Sequence, residues 1–289
     1  MAAKKRRYSK HANYARMTMF SDCLMYHVFR GAPDVVEHML RIILGIPLHV
    51  LSVHVEYAIK FGTGTGIRMD VHAMDDEGIH YNIEIQNNLA GASIERADYN
   101  GAAMKVYFSK RKKGKRRIPR TFVIFITSKG YNCHGRPFYR YSLKGENGEE
   151  TGVGTEIIFV NGLWRDNSDF GRMMHDFGCR DPKQMKDPVF ANRVSHVKAS
   201  KIERRSMDEY ELRKYRKARK EGIKIGKADG IKIGEANGIR IGEANGKVDG
   251  IKCTALRMMN SGEFTESQIS IATGLSTDQI KQLKQQNVS

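Results

Sequence analysis

The chain has 289 residues, 40% of them hydrophobic, with 12 Phe and 12 Tyr. That is enough apolar material for one sizeable core, and it excludes a chain disordered throughout. A formal net charge of +17 points to an anionic partner, with nucleic acid first because a basic surface releases counterions from a phosphate backbone.

Four widely spaced cysteines (Cys23, Cys133, Cys179, Cys253) form no Cys-x-x-Cys pair. The spacing argues against a structural zinc site and a disulfide framework and fits a reducing compartment. The stretch MAAKKRRYSK is basic but lacks the apolar segment a signal peptide needs, and no run has the length of a membrane span. A cytoplasmic protein with no membrane partner is therefore expected. KKRR alone is too short to specify a nuclear address.

Residues 17–46 carry apolar side chains at three- and four-residue spacing and predict helix. In LSVHVEYAIKF (51–61), Val53, Val55, Tyr57, Ile59 and Phe61 alternate with other residues, predicting one strand with these five on one face. GTGTG (62–66) is a flexible connection to IRMDVHAMDDEGIHYNIEIQ (67–86), a second pair of strands around a turn. Helix is predicted over 92–108, and strands over TFVIFITS (121–128), RPFYRYSL (136–143) and TEIIFV (155–160). Charged, helix-forming sequence follows from 166 to 221. This element order is mixed α/β.

From Gly222 to Gly250 glycine recurs every fourth residue, and Ile-Lys/Arg-Ile every eighth. On a helix each four-residue step turns about 40° beyond a full circle, so the glycine stripe winds around the axis. Glycine costs roughly 1 kcal/mol per helical position, so such a helix calls for a partner. A flexible spacer and a self-association element are the two readings of this repeat. FTESQISIATGLSTDQIKQLKQ (264–285) reads as helix, turn at Gly274, and helix capped by Ser276 or Thr277. It resembles a helix-turn-helix lacking a third helix to complete a core. The expected organisation is a core over 1–165, a charged helical extension over 166–221, the repeat over 222–252 and a helical unit over 253–289.

The central hairpin carries the chemistry. Asp76-Glu77-Gly78 suits a three-residue loop with Gly78 in the left-handed position. That loop sets Asp70 opposite Glu84, His72 opposite Asn82 and Arg68 opposite Gln86, with Met69, Val71 and Ala73 against Tyr81, Ile83 and Ile85 on the apolar face. A two-residue loop would shift the register by one and mix the two sets. Facing residues have Cβ atoms about 5 Å apart, so two ionised carboxylates there repel unless one is protonated or a cation lies between them. Oxygen ligands so placed suit Mg²⁺ or Mn²⁺. The bland alternative is a polar face that only solubilises the sheet, on which His72 and His80 are solvated residues.

The stretch RMDVHAMDDEGIHYNIEIQ resembles the PD-(D/E)xK nuclease motif, in the variant found in the Rpn family of recombination-promoting nucleases, also called PD-(D/E)xK nuclease family transposases. The likeness extends to SDCLMYHVFRG, ERADYNGAAM, KDPVFANRVSHVK and the glycine-repeat tail. It implies a restriction-endonuclease-like α/β core, a mixed central sheet flanked by helices, and a metal-dependent DNA endonuclease linked to recombination or mobile elements. In that reading Asp70, Glu84 and Gln86 are catalytic, and Asp70, Glu84 and the backbone carbonyl of Ile85 hold the ion. Asp22 is a further candidate ligand, with a helix cap as its other role, and Glu37 is a second candidate.

Gln86 stands where such folds often keep a lysine, so Arg68 or Arg96 is expected to supply the missing charge. KRKKGKRR reads as a loop that is either merely solvated or a phosphate clamp contributed by Lys110, Arg111, Lys112, Lys113, Lys115, Arg116 and Arg117. Asp75, Asp76 and Glu77 belong to a loop and form no catalytic triad. The competing functions are an inactive DNA-binding protein and an assembly protein, each retaining the fold.

Overall fold

A computed structural model describes residues 14–62, 65–87, 91–112, 115–130 and 135–286. The basic KKRR cluster, Lys113 and Cys133 lie outside them. Two compact units divide the chain, residues 1–213 and 214–289.

The first unit is mixed α/β. Helices α1 (Asp22–Phe29) and α2 (Pro33–Leu44) come first. The helix expected over 17–46 breaks between them because Pro33 starts the second helix and Gly31 takes a φ of 62°. Strands β1 (Val50–Phe61), β2 (Thr65–Asp75) and β3 (His80–Gln86) follow, then helix α3 (Ile94–Phe108). A short ribbon of β4 (Lys110–Lys112) and β5 (Lys115–Arg117) precedes β6 (Thr121–Thr127), β7 (Phe138–Tyr141) and β8 (Thr155–Asn161). Six strands form one sheet in the order β1-β2-β3-β6-β8-β7, with β3, β6 and β8 parallel and the rest antiparallel.

Two apolar layers cover the sheet. On one face Tyr81, Ile83, Ile85, Phe122, Ile124 and Ile126 pack with α1 and α2, with α4 (Asp169–Gly178) and α5 (Pro188–Ala199), and with Met207 and Tyr210 of α6 (Lys201–Ser261). The core thus continues past residue 165, where a boundary was expected. On the other face Val123, Phe125, Ile157 and Phe159 pack under α3 through Ala97, Ala103 and Met104. Helix α3 lies so close that a Cβ on Gly101 would fall 2.2 Å from Thr155 Oγ1.

The expected single face of β1 is not observed. Val53 and Val55 join the first layer, whereas Tyr57, Ile59 and Phe61 join the second. The change occurs at Glu56, the one non-glycine residue of positive φ (51°) among those described. β2 changes face at the matching point, with Val71 and Ala73 in the first layer and Met69 and Ile67 in the second. In the β1–β2 register, Val55 meets Val71 and Tyr57 meets Met69, so Glu56 stands opposite Asp70. A non-glycine residue there stores roughly 1–3 kcal/mol, and Glu56 is held by Tyr210 Oη (3.0 Å) and Arg213 Nη2 (3.4 Å).

The second unit contains the end of α6, then α7 (Glu266–Thr273) and α8 (Thr277–Gln286). The glycine repeat is continuous helix, and a Cβ at any repeat glycine from Gly222 to Gly250 would meet open space. Gly274 is left-handed (φ 71°), and Thr265 and Gln268 form a capping box. The expectation that no third helix completes this core is corrected: Ala255, Met258 and Met259 of α6 pack with Ile269 and Ile280. Among the described residues no helix is long and apolar enough to cross a membrane.

Candidate active site

The β2–β3 turn follows the expected register. Val71 pairs with Ile83, His72 with Asn82, Ala73 with Tyr81 and Met74 with His80, and Gly78 has a φ of 75°. Asp75 locks the turn: its carboxylate accepts from the Ile79 amide (2.8 Å) and from Tyr81 Oη (2.7 Å). This buried acid is structural.

The ladder stops at Val71–Ile83, one step before Asp70 and Glu84. Where β2 changes face, the Asp70 side chain turns toward β3 and Oδ2 accepts the Ile85 amide at 3.1 Å. The amide and carbonyl of one strand residue point the same way, so the Ile85 carbonyl is directed to the Asp70 side of β3. The expected facing of Arg68 and Gln86 does not occur. Arg68 pairs with Ala58 of β1 and is exposed, because β2 has left β3 by that point.

Glu84 is fully buried against the α3 side of the sheet. Its Oε2 receives Arg96 Nη2 at 2.7 Å and Gln86 Nε2 at 3.4 Å, while Oε1 has no protein partner. Ser93 caps α3 by accepting the Arg96 amide (3.2 Å). This places Arg96 in the first turn, where its guanidinium also donates to the Gly91 carbonyl (2.9 Å) and lies over the Phe125 ring. Of the two arginines expected to supply charge, Arg96 touches the site. Arg68 acts only through its field on Asp70.

Both carboxyls hold protons more tightly than usual. Burial pushes Glu84 up to about 7, the Asp70 charge adds to this, and Arg96 opposes it. Burial likewise raises Asp70; the Asp22 charge reinforces the rise, and the Ile85 amide, Arg96 and Arg68 oppose it. Asp22 is exposed at the first position of α1, near enough for its charge to be felt. Glu37 belongs elsewhere: it binds the Val50 amide (2.9 Å), His49 (2.9 Å) and Arg41 (2.6 Å), fastening α2 to β1.

His72 and His80 are buried, not solvated. His72 Nε2 and His80 Nδ1 are 3.0 Å apart, and Phe108 stacks on His80 at 3.9 Å and on His72 at 4.8 Å. Tyr57 stacks on His72 from β1. Burial lowers His72 to about 3, aided by His80 and His54, and burial with Lys110 lowers His80 to about 4.

Between the histidines and Glu84 lies Asn82, fully buried, whose amide makes no close hydrogen bond but is near enough to Glu84 to favour its charged form; His72 Nδ1 has no protein partner. The sequence places Asn82 opposite His72 and assigns it no role. Its signal is a polar residue two positions before Glu84 on a strand buried on both faces.

Lys110, Arg111, Lys115, Arg116 and Arg117 are exposed on the β4–β5 ribbon, to which Lys112 contributes backbone. The segment expected as a loop is therefore a paired ribbon. No group of three or more His, Cys, Asp or Glu side chains poised to hold a metal occurs among the described residues. The donor set is two carboxylates facing one guanidinium, with Glu84 Oε1 unpaired. Hard oxygen donors with excess negative charge fit a hard divalent cation. Comparison with protein families, with curated proteins and with solved structures finds no match for the chain.

Proposed function

We propose that the chain is a divalent-metal-dependent DNA endonuclease built on a PD-(D/E)xK-type core. The observation that carries this reading is the pair of carboxylates, Asp70 and Glu84. They lie where two strands part, and the Asp70 charge raises the proton affinity of Glu84 despite Arg96. A purely structural pair gains little from such repulsion, whereas a cation site needs it.

Asp70, Glu84 and the Ile85 carbonyl would hold Mg²⁺ or Mn²⁺, with Asp22 extending the negative field. When bound, the ion would lower the pKa of a water and offset charge growing on the phosphate. Arg96 holds Glu84 in place, and the Gln86 amide braces the same oxygen. The exposed cations Lys110, Arg111, Lys115, Arg116 and Arg117 and the net charge of +17 suit a phosphate backbone. A link to recombination or mobile elements rests on the likeness of the motif.

Plasmid cleavage with Mg²⁺ tests the reading. Wild type should cut, and Asp70→Ala and Glu84→Ala should lose at least about a hundredfold in rate, as expected when electrostatic stabilisation is removed. A wild type that cuts no faster than both variants ends the enzyme reading.

A further inference from the structure

The β4–β5 ribbon is cationic on both faces. Its register pairs Lys110 with Arg117, Arg111 with Arg116 and Lys112 with Lys115. Cross-strand partners share a face, and successive pairs alternate between faces. Lys110, Lys115 and Arg117 therefore lie on one face, and Arg111 and Arg116 on the other. None of these five side chains forms an ion pair among the described residues.

Such a ribbon is poorly suited to stand alone. Like charges directly opposite each other destabilise a strand pair, and an isolated two-stranded ribbon is marginal in water. Anions on both sides remove the conflict. A surface that lies flat on a phosphate backbone needs cations on one face only. Cations on both faces match a setting with a phosphate row on each side, which is a nucleic-acid groove.

The major groove of B-form DNA, about 12 Å wide, admits a two-stranded ribbon as it stands, and the minor groove, about 6 Å wide, must be opened by bending first. The major groove of A-form RNA is deep and closed to side chains. The ribbon base is fixed. Phe108, two residues before Lys110, stacks on His80, and at the base Lys110 and Arg117 line one cavity with Phe108, His80, Asp76 and Glu77. From His80 to Glu84 along β3 is roughly 13 Å, about four base steps, so the ribbon and the carboxylates lie within the span of one short duplex.

We propose that this ribbon enters the major groove of double-stranded B-form DNA and makes duplex, not single-stranded, DNA the substrate. The proposal rests on the nuclease reading for its consequence, and its test needs no cleavage. Binding of the full chain, in chelator, is measured by anisotropy with three probes: a short labelled DNA duplex, one of its strands, and an RNA duplex of the same sequence. The DNA duplex should bind tightest, and methyl green, a major-groove ligand, should compete where netropsin, a minor-groove ligand, does not.

Arg111→Ala/Arg116→Ala empties one face and Lys110→Ala/Lys115→Ala/Arg117→Ala the other. Each phosphate contact contributes about 0.9 to the slope of log affinity against log salt, so the slope should fall by roughly 2 and roughly 3 respectively. Arg111→Lys/Arg116→Lys should restore the slope, and unchanged thermal melting of the variants confirms that they fold. The proposal is overturned if either single-face variant binds like wild type, or if the single strand or the RNA duplex binds as tightly. Cleavage by wild type with unimpaired ribbon variants would remove the groove contact and leave the nuclease reading. Face-dependent duplex binding without any cleavage would do the reverse.

Discussion

The α3 side of the β2–β3 pair ends in carboxylates at Asp70 and Glu84 and in imidazoles at His72 and His80, and burial governs both ends. It favours the neutral form in each case, so it raises the acids and lowers the bases. The difference lies in what surrounds them. The histidines are sandwiched by Phe108 and Tyr57 and have each other as partners. The carboxylates face Arg96 and still repel each other. One end is closed packing, and at the other the charges are only partly compensated.

The two ends push stability in opposite directions with pH. Glu84 titrates near 7 when folded and near its ordinary 4.5 when unfolded. The folded state holds the extra proton between these values, so stability falls as pH rises through that window. In metal-free protein at pH 8, Glu84→Gln should therefore be more stable than wild type by about 3 kcal/mol, with the gain gone near pH 4.5. Urea unfolding at the two pH values measures it. Equal stability at pH 8 would show that Arg96 already compensates the charge.

A bound cation should erase the same penalty. At Mg²⁺ about 100 times its dissociation constant, wild type should gain about 2.7 kcal/mol over the protein in chelator. Asp70→Ala should gain nothing. Calorimetry on both proteins reads this directly, and identical Mg²⁺ shifts would place the ion elsewhere.

His72 works the other way. Its folded value of about 3 lies below the ordinary 6.5, so stability is lost as pH falls below 6.5. His72→Phe retains an aromatic ring in the stack and removes the proton acceptor. Between pH 8 and pH 5 the variant should be spared about 2 kcal/mol of the loss seen in wild type. An equal loss in both would mean that acid attacks another group first.

The smallest effect is expected between the ends. Asn82→Leu removes an amide that helps Glu84 hold its charge and puts a larger side chain in a fully buried place. At pH 8 it should lower stability by about 1 kcal/mol, seen as a lower melting temperature. An unchanged one would show that Asn82 does not act on Glu84.

The hairpin register was legible because Gly78 specifies the loop and the loop specifies the pairing. The nearness of Asp70 to Glu84 followed from that, although the ladder ends one step short of them and Asp70 takes the Ile85 amide. The change of face at Glu56 was not legible, since a left-handed glutamate leaves no mark in an alternating sequence and its cause lies in Tyr210 and Arg213, far along the chain. The burial of His72 and His80 was hidden for a similar reason: their cover is Phe108, from the end of a helix with its own periodicity. KRKKGKRR was read as a loop because a run of like charge is usually solvated, and the structure pairs its two ends as strands. Ala255 to Met259 look like the tail of a long polar helix until α7 and α8 fold against them.

The change of face at Glu56 and Asp70 gives one strand pair membership of both hydrophobic layers. Its outer half is glued beneath α3 and its inner half beneath α1 and α2. The segment bearing Asp70 is thus a shared beam. It cannot loosen without exposing apolar surface on both sides of the sheet, so the two layers should open to hydrogen exchange together. The position of a single carboxylate is guarded by the cooperativity of the whole domain.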